Sequence, residues 1–127
     1  MKKVLIVDDE PVIQITLKRF FESLGDFEVV GVGSDGNDAV ELADKLKPNL
    51  ITLDITMPNK DGIEALRGII ANNPNATVLM VSTLRDKDKI SLALKIGAKG
   101  YINKPLNFRS EEYVNTIKDE INNALEE

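Results

Sequence analysis

Two reactive residue types are missing from this chain: it has no cysteine and no histidine. Without cysteine, neither a disulfide nor a thiolate metal site can form. Without histidine, no imidazole can act as base, metal ligand or phospho-carrier within the chain. Long apolar runs are missing too. The longest falls far short of the ~20 residues of a membrane span. The two lysines near the N-terminus are followed by no stretch suited to a signal peptide. Positive charge is in deficit: 16 Lys and Arg stand against 21 Asp and Glu, a net charge of −5. Binding a nucleic-acid backbone needs clustered Lys and Arg. The expectation is therefore a cytoplasmic protein with no direct nucleic-acid or membrane partner.

What is present fits one globular domain over 1–127: 43% of residues are hydrophobic and 29% charged. Met1 and the closing Glu126-Glu127 look like natural termini. Five short apolar runs recur: Val4–Val7, Phe27–Val32, Leu50–Leu53, Val78–Val81 and Tyr101–Ile102. Most are continuous, as strands buried on both faces should be. Between them fall five apolar stripes at helical spacing. The first is Ile13, Leu17, Phe20, Phe21 and Leu24, and the second Ala39, Leu42, Ala43 and Leu46. The third is Ile63, Leu66, Ile69 and Ile70, the fourth Ile90, Ala93 and Leu94. Val114, Ile117, Ile121 and Leu125 make the fifth. Pro11 suits a first helical turn, Gly25 and Gly97 suit helix ends, and Pro48 and Pro74 stop helices. The pattern predicts (βα)5: a doubly wound, five-stranded parallel sheet with helices on both faces.

In such a sheet, ligands bind beyond the carboxyl ends of the strands. The first run is followed by Asp8, Asp9 and Glu10, the third by Asp54, the fourth by Ser82 and Thr83, and the fifth by Lys104 and Pro105. Each has a bland reading. Asp8 to Pro11 could start a helix, Asp54 could bond its own turn, Ser82 could cap a helix, and Lys104 could be solvated. The joint placement favours chemistry. Adjacent carboxylates ~4 Å apart repel by about 1 kcal/mol in water and about 4 kcal/mol at a protein surface. A hard cation would offset this, and oxygen ligands without His or Cys suit Mg²⁺, with Mn²⁺ as substitute. With a lysine and a hydroxyl nearby, the pocket suits a phosphoryl group, and an aspartate can accept it as an acyl phosphate.

The segments "VLIVDDEP", "LITLDITMPNKDGIEAL", "VLMVST" and "GYINKP" occur in that order and with suitable spacing. In them the chain resembles the receiver domains of bacterial two-component response regulators, over nearly its whole length. The resemblance implies a flavodoxin-like sheet with strand order 2-1-3-4-5. It implies Asp54 as phosphoacceptor, with Asp8, Asp9, Asp54 and the backbone carbonyl of Thr56 holding Mg²⁺. Lys104 would pair with the phosphoryl oxygens. Ser82 would bond the phosphoryl group and, with Tyr101, form the switch. A cis Lys104–Pro105 bond would be in keeping. The chain would catalyse only its own phosphorylation and dephosphorylation. Its partners would be a sensor histidine kinase and a downstream protein target: a motor, a phosphotransferase or another regulator, as in a chemotaxis switch or phosphorelay.

Three residues bear on access to Asp54 and phosphate lifetime: Thr56, Thr83 and Leu84. Thr83 is bulkier than the residue usual at its position, and apolar Leu84 should slow attack by water. The stretch "LNFRSEEY" after Pro105 is slightly longer than usual. Other readings are a receiver excised from a longer regulator, a Mg²⁺-dependent phosphohydrolase and a phosphate-independent pseudo-receiver. Phosphohydrolases of the haloacid dehalogenase type expect an acid where Thr56 stands, and the intact set of Asp8, Asp9, Asp54, Ser82 and Lys104 argues against a pseudo-receiver.

Overall fold

The computed structural model describes residues 1–126, apart from the side chain of Leu84. Strands and helices alternate along the chain. They are β1 (Lys2–Val7), α1 (Pro11–Ser23), β2 (Phe27–Gly33), α2 (Gly36–Leu46), β3 (Leu50–Asp54), α3 (Gly62–Asn72), β4 (Val78–Ser82), α4 (Lys87–Ile96), β5 (Gly100–Asn103) and α5 (Glu111–Leu125). A 3₁₀ turn at Leu84–Asp86 leads into α4. The strands form one parallel sheet in the order β2-β1-β3-β4-β5. All five expected strands and all five helices are present.

Successive strand residues point to opposite faces, and both faces are covered. Val4, Ile6, Leu50, Leu79, Val81 and Ile102 pack with Leu17, Phe20 and Phe21 of α1 and Ile117, Ile121 and Ala124 of α5. Leu5, Val7, Ile51, Leu53, Val78 and Met80 pack with Ala39 of α2, Ile63, Leu66 and Ile69 of α3 and Ala93 of α4. Burial on both faces is why the runs lack polar alternation.

Helix boundaries follow local chemistry. Pro11 occupies the first turn of α1, where its missing N–H costs nothing. Asp35, Asp61 and Ser110 cap α2, α3 and α5 by accepting from the N–H three residues on. Glu10 precedes α1 but makes no side-chain cap. Gly25 and Gly97 follow α1 and α4 at positive φ, as helix ends favour. One apolar assignment is corrected: Leu94 is 46% exposed. Ala93 is the only buried residue of α4, so the stripe is narrower than the sequence suggests.

Candidate functional site

Strand parity brings the distant charges together. Val4 and Ile6 face the α1/α5 layer, and the next residue in that alternation is Asp8. Leu50 leads in the same way to Asp54, and Ile102 to Lys104. All three lie at carboxyl ends of parallel strands. The Lys104 ammonium meets Asp8 Oδ2 at 3.2 Å, Asp54 Oδ1 at 3.5 Å and Glu10 Oε1 at 3.6 Å. Asp8 is fully buried and Asp54 nearly so.

Asp8 is held on several sides. Its N–H donates to the Gly33 carbonyl at 3.1 Å. Its Oδ1 accepts from the Glu10 N–H at 2.9 Å, and its carbonyl accepts from Gln14 Nε2 at 2.6 Å. Asp54 Oδ1 accepts from the Thr56 N–H at 3.4 Å, so the turn reading of this aspartate holds alongside its place in the site. The Lys104–Pro105 peptide is cis.

Burial pushes the Asp54 carboxyl up to about 7, and the neighbouring Asp8 charge adds to the rise while Lys104 opposes it. Asp8 is raised as well, mainly by burial. Burial alone would lower the Lys104 ammonium, but the attraction of Asp54, Asp8 and Glu10 carries it above its usual value. Two buried carboxylates sharing one ammonium are thus short of positive charge.

Asp8, Asp9 and Glu10 each offer a carboxylate oxygen, and these oxygens lie within 4.8 Å of one another. Asp9 and Glu10 are exposed, so the cluster opens to solvent. Asp54 is not one of this group of three; it is joined to Asp8 through the Lys104 ammonium that both carboxylates approach. An all-oxygen donor set of this kind fits a hard divalent cation that keeps several waters. The Ser82 hydroxyl is buried and has no hydrogen-bond partner among the described residues. Buried polar groups without a partner are rare, and this one sits at the end of β4 beside β3 and β5.

The remaining predicted residues are more peripheral. Thr56 is exposed in the loop after β3, and Thr83 is exposed at the start of the 3₁₀ turn. Thr83 and Ser82 line a cleft with Lys87, Ile90, Tyr101 and Asn103. Tyr101 is 40% exposed on that cleft. The side chain of Leu84 lies outside the described residues.

The sequence reading leaves several supports out of the site, and takes Gly62 only as fitting the loop after the acceptor. Glu10 joins the charge cluster. Gln14 pins the Asp8 backbone. Asn59, at φ 67°, donates to Asp35 Oδ2 at 2.7 Å and ties the loop after β3 to the start of α2. Gly62 presses on the acceptor strand: a Cβ there would stand 2.1 Å from the Asp54 carbonyl oxygen. The glycine in "NKDG" and the Asp-Gly at 35–36 were visible signals of close approach; the pairing of Asn59 with Asp35 left no trace in either segment alone.

This fold, with its acid-and-lysine edge, defines a class. The chain belongs to the response regulator receiver domain family, which matches residues 4–118. It is 44% identical over 105 residues to the chemotaxis protein CheY of Listeria monocytogenes, covering 83% of this chain and 87% of that protein. It superposes on the response regulator domain of Thermotoga maritima CheB with a TM-score of 0.88 at 38% identity, covering 100% of this chain and 98% of that one. CheY in a complex with CheX, BeF3 and Mg²⁺, from Borrelia burgdorferi, gives a TM-score of 0.84 at 34% identity, over 94% of this chain and 86% of that chain. Family, fold and strand order agree with the expectations from sequence.

Proposed function

We propose that this receiver takes a phosphoryl group on Asp54 from a partner histidine kinase and thereby changes its affinity for a protein target. The observation that carries the reading is the Lys104 ammonium bridging Asp8 and Asp54, with the orphaned hydroxyl of Ser82 at the end of the strand between β3 and β5. In the transfer, an Asp54 carboxylate oxygen attacks phosphorus. The P–O bond forms, the P–N bond of the donor phosphohistidine breaks, and its electron pair returns to the imidazole. Lys104 neutralises one phosphoryl oxygen, and Ser82 donates to another.

Asp8, Asp9, Asp54 and the Thr56 carbonyl would hold Mg²⁺. The ion would neutralise charge on the carboxylates and the phosphoryl oxygens, and would favour ionised Asp54. The Borrelia relative, solved with BeF3 and Mg²⁺, supports this ligand class. The chain would act as catalyst only on its own phosphate. By resemblance, Thr56, Thr83 and Leu84 are the positions that would tune how long the phosphate lasts.

Phosphorylation adds about −1.5 to −2 of charge. Drawing Ser82 toward it would rearrange the cleft that Ser82 shares with Thr83 and Tyr101. The adjoining segment, the 3₁₀ turn and α4, carries Arg85, Lys87, Lys89 and Lys95 against Asp86 and Asp88, with Leu92 and Leu94 exposed on it and Tyr101 exposed on β5. On a chain of net charge −5, this local positive excess suits an acidic partner segment with apolar anchors. No helix among the described residues is long and apolar enough to cross a membrane, and we place the protein in the cytoplasm over 1–127 as one receiver domain.

Acetyl phosphate with Mg²⁺ tests the reading. Wild type should incorporate phosphate, Asp54→Asn should not, and chelation of Mg²⁺ should stop the reaction. Beryllofluoride should raise partner capture by the Tyr101 face. Equal incorporation in Asp54→Asn would overturn the assignment.

A further inference from the structure

The stretch "LNFRSEEY" after Pro105 supplies two aromatic residues that the chemistry above does not use. Phe108 stacks on Phe20 of α1, with centroids 4.1 Å apart and planes 8° apart. Tyr113, in the first turn of α5, meets Phe108 edge-on at 5.4 Å. Its backbone N–H donates to the Ser110 hydroxyl at 3.2 Å. The ring and main chain of Tyr113 are therefore both fixed. Its hydroxyl then reaches back to β5 and donates to the Asn103 carbonyl at 2.7 Å.

That carbonyl belongs to the peptide unit joining Asn103 to Lys104. The N–H of the same unit donates to the Ser82 carbonyl, also at 2.7 Å. Both polar groups of one peptide are thus engaged, one by β4 and one by α5. β5 is an edge strand, so its outward carbonyls have no strand partner. At this position Tyr113 takes that place. Proline follows Lys104 and offers no N–H, so this peptide is the last donor-acceptor unit before the loop. The Lys104 side chain springs from it and spans Asp8, Asp54 and Glu10. A long, flexible stem reaches three acceptors only if its root is aimed correctly.

We infer that Tyr113 is a positioning residue for phosphoryl transfer: its hydroxyl fixes the peptide plane from which Lys104 reaches the acceptor site. The inference rests on the phosphoacceptor reading of Asp54 and Lys104. It assigns a role to the long connection before α5, which anchors the lysine from behind. Burial of the Tyr113 phenol, which pushes it up to about 12, keeps it a donor at all physiological pH.

Tyr113→Phe keeps the ring and its contact with Phe108 and removes only the donor. With acetyl phosphate and Mg²⁺, phosphorylation should slow about 3- to 10-fold, as expected for a misaimed charge. In a Lys104→Met background the same change should alter the rate by less than about 1.5-fold, since the group being aimed is gone. Amide exchange of the metal-free protein gives a reading independent of activity. The Lys104 N–H should exchange about five-fold or more faster in Tyr113→Phe, with Ile102 unchanged, if the peptide plane is freed. An unchanged rate and unchanged exchange at Lys104 would overturn the inference, as would an equal loss of rate in both backgrounds. If Lys104→Met and Asp54→Asn both keep wild-type incorporation, the phosphoacceptor reading itself fails and takes this inference with it.

Discussion

Lys104 Nζ stands 3.5 Å from Asp54 Oδ1, an ion pair between the carboxyl ends of β5 and β3 across the intervening β4. The pair is incomplete as a charge balance, because Asp8 makes a second claim on the same ammonium at 3.2 Å. The consequences for stability and chemistry can be measured separately.

The pH dependence has a definite sign. Burial holds the Asp54 carboxyl at about 7 in the folded chain, well above the usual carboxylate range of about 4 in the unfolded one. Between those values the folded state binds more protons than the unfolded one, so stability falls as pH rises through that window. Above pH 7 the penalty is complete. Asp54→Asn should therefore stabilise the metal-free protein at pH 8 by roughly 1–2 kcal/mol and have little effect at pH 4. Urea denaturation at the two pH values, with chelator present, checks this. Added Mg²⁺ should flatten the wild-type slope.

Removing the ammonium should act in the opposite direction. Lys104→Met leaves Asp8 and Asp54 buried without their shared cation. At pH 8 the loss should be about 1–3 kcal/mol, smaller at pH 5, where Asp54 is protonated. The rate of phosphate incorporation should fall at least ten-fold, as for loss of a charge-stabilising group at a transferring phosphoryl. Melting curves and incorporation kinetics read the two effects separately.

Two buried hydroxyls without partners, on Ser82 and Thr52, should separate function from fold. Ser82→Ala and Thr52→Val each remove an unsatisfied polar atom and should leave the metal-free fold unchanged or stabilised by up to about 1 kcal/mol. Only Ser82→Ala should slow phosphorylation, because Thr52 lies among Ile6 and Leu79 within the sheet. An equal effect of both on the rate would contradict the role given to Ser82.

Gly62→Ala should displace the acceptor strand. Its Cβ would collide with the Asp54 carbonyl and with Ile55 Cα at 2.6 Å, backbone atoms that cannot rotate away. Overpacking of this kind costs about 1–3 kcal/mol. Thermal melting should show the loss. A far smaller change would mean that the loop after β3 yields more easily than its ties to Ile55 and Asp35 imply.

Much of this architecture was legible because strands buried on both faces write continuous apolar runs, and because one rule places their carboxyl ends together. Asp8, Asp54 and Lys104 could be read as one group from that rule alone. Their convergence on a single ammonium follows from strand parity, visible once Val4-Ile6-Asp8, Leu50-Thr52-Asp54 and Ile102-Lys104 are aligned. What stayed hidden depends on contacts between segments. Leu94 fits the helical period as well as Ala93 does, yet only packing against the neighbouring elements decides which is covered. Glu10 reads as a helix start and turns out to face Lys104. Tyr113 sits in an ordinary amphipathic stripe, and nothing in its own segment shows that its hydroxyl ends at Asn103.

The central claim is that Asp54 is the residue that carries the phosphoryl group. Borohydride reduces an acyl phosphate to the corresponding alcohol, which marks the position permanently. After treatment with acetyl phosphate and Mg²⁺, reduction and peptide mapping should find homoserine at position 54 and intact aspartate at positions 8 and 9. Label at another acid, or none at position 54 while phosphate is incorporated, would contradict the account.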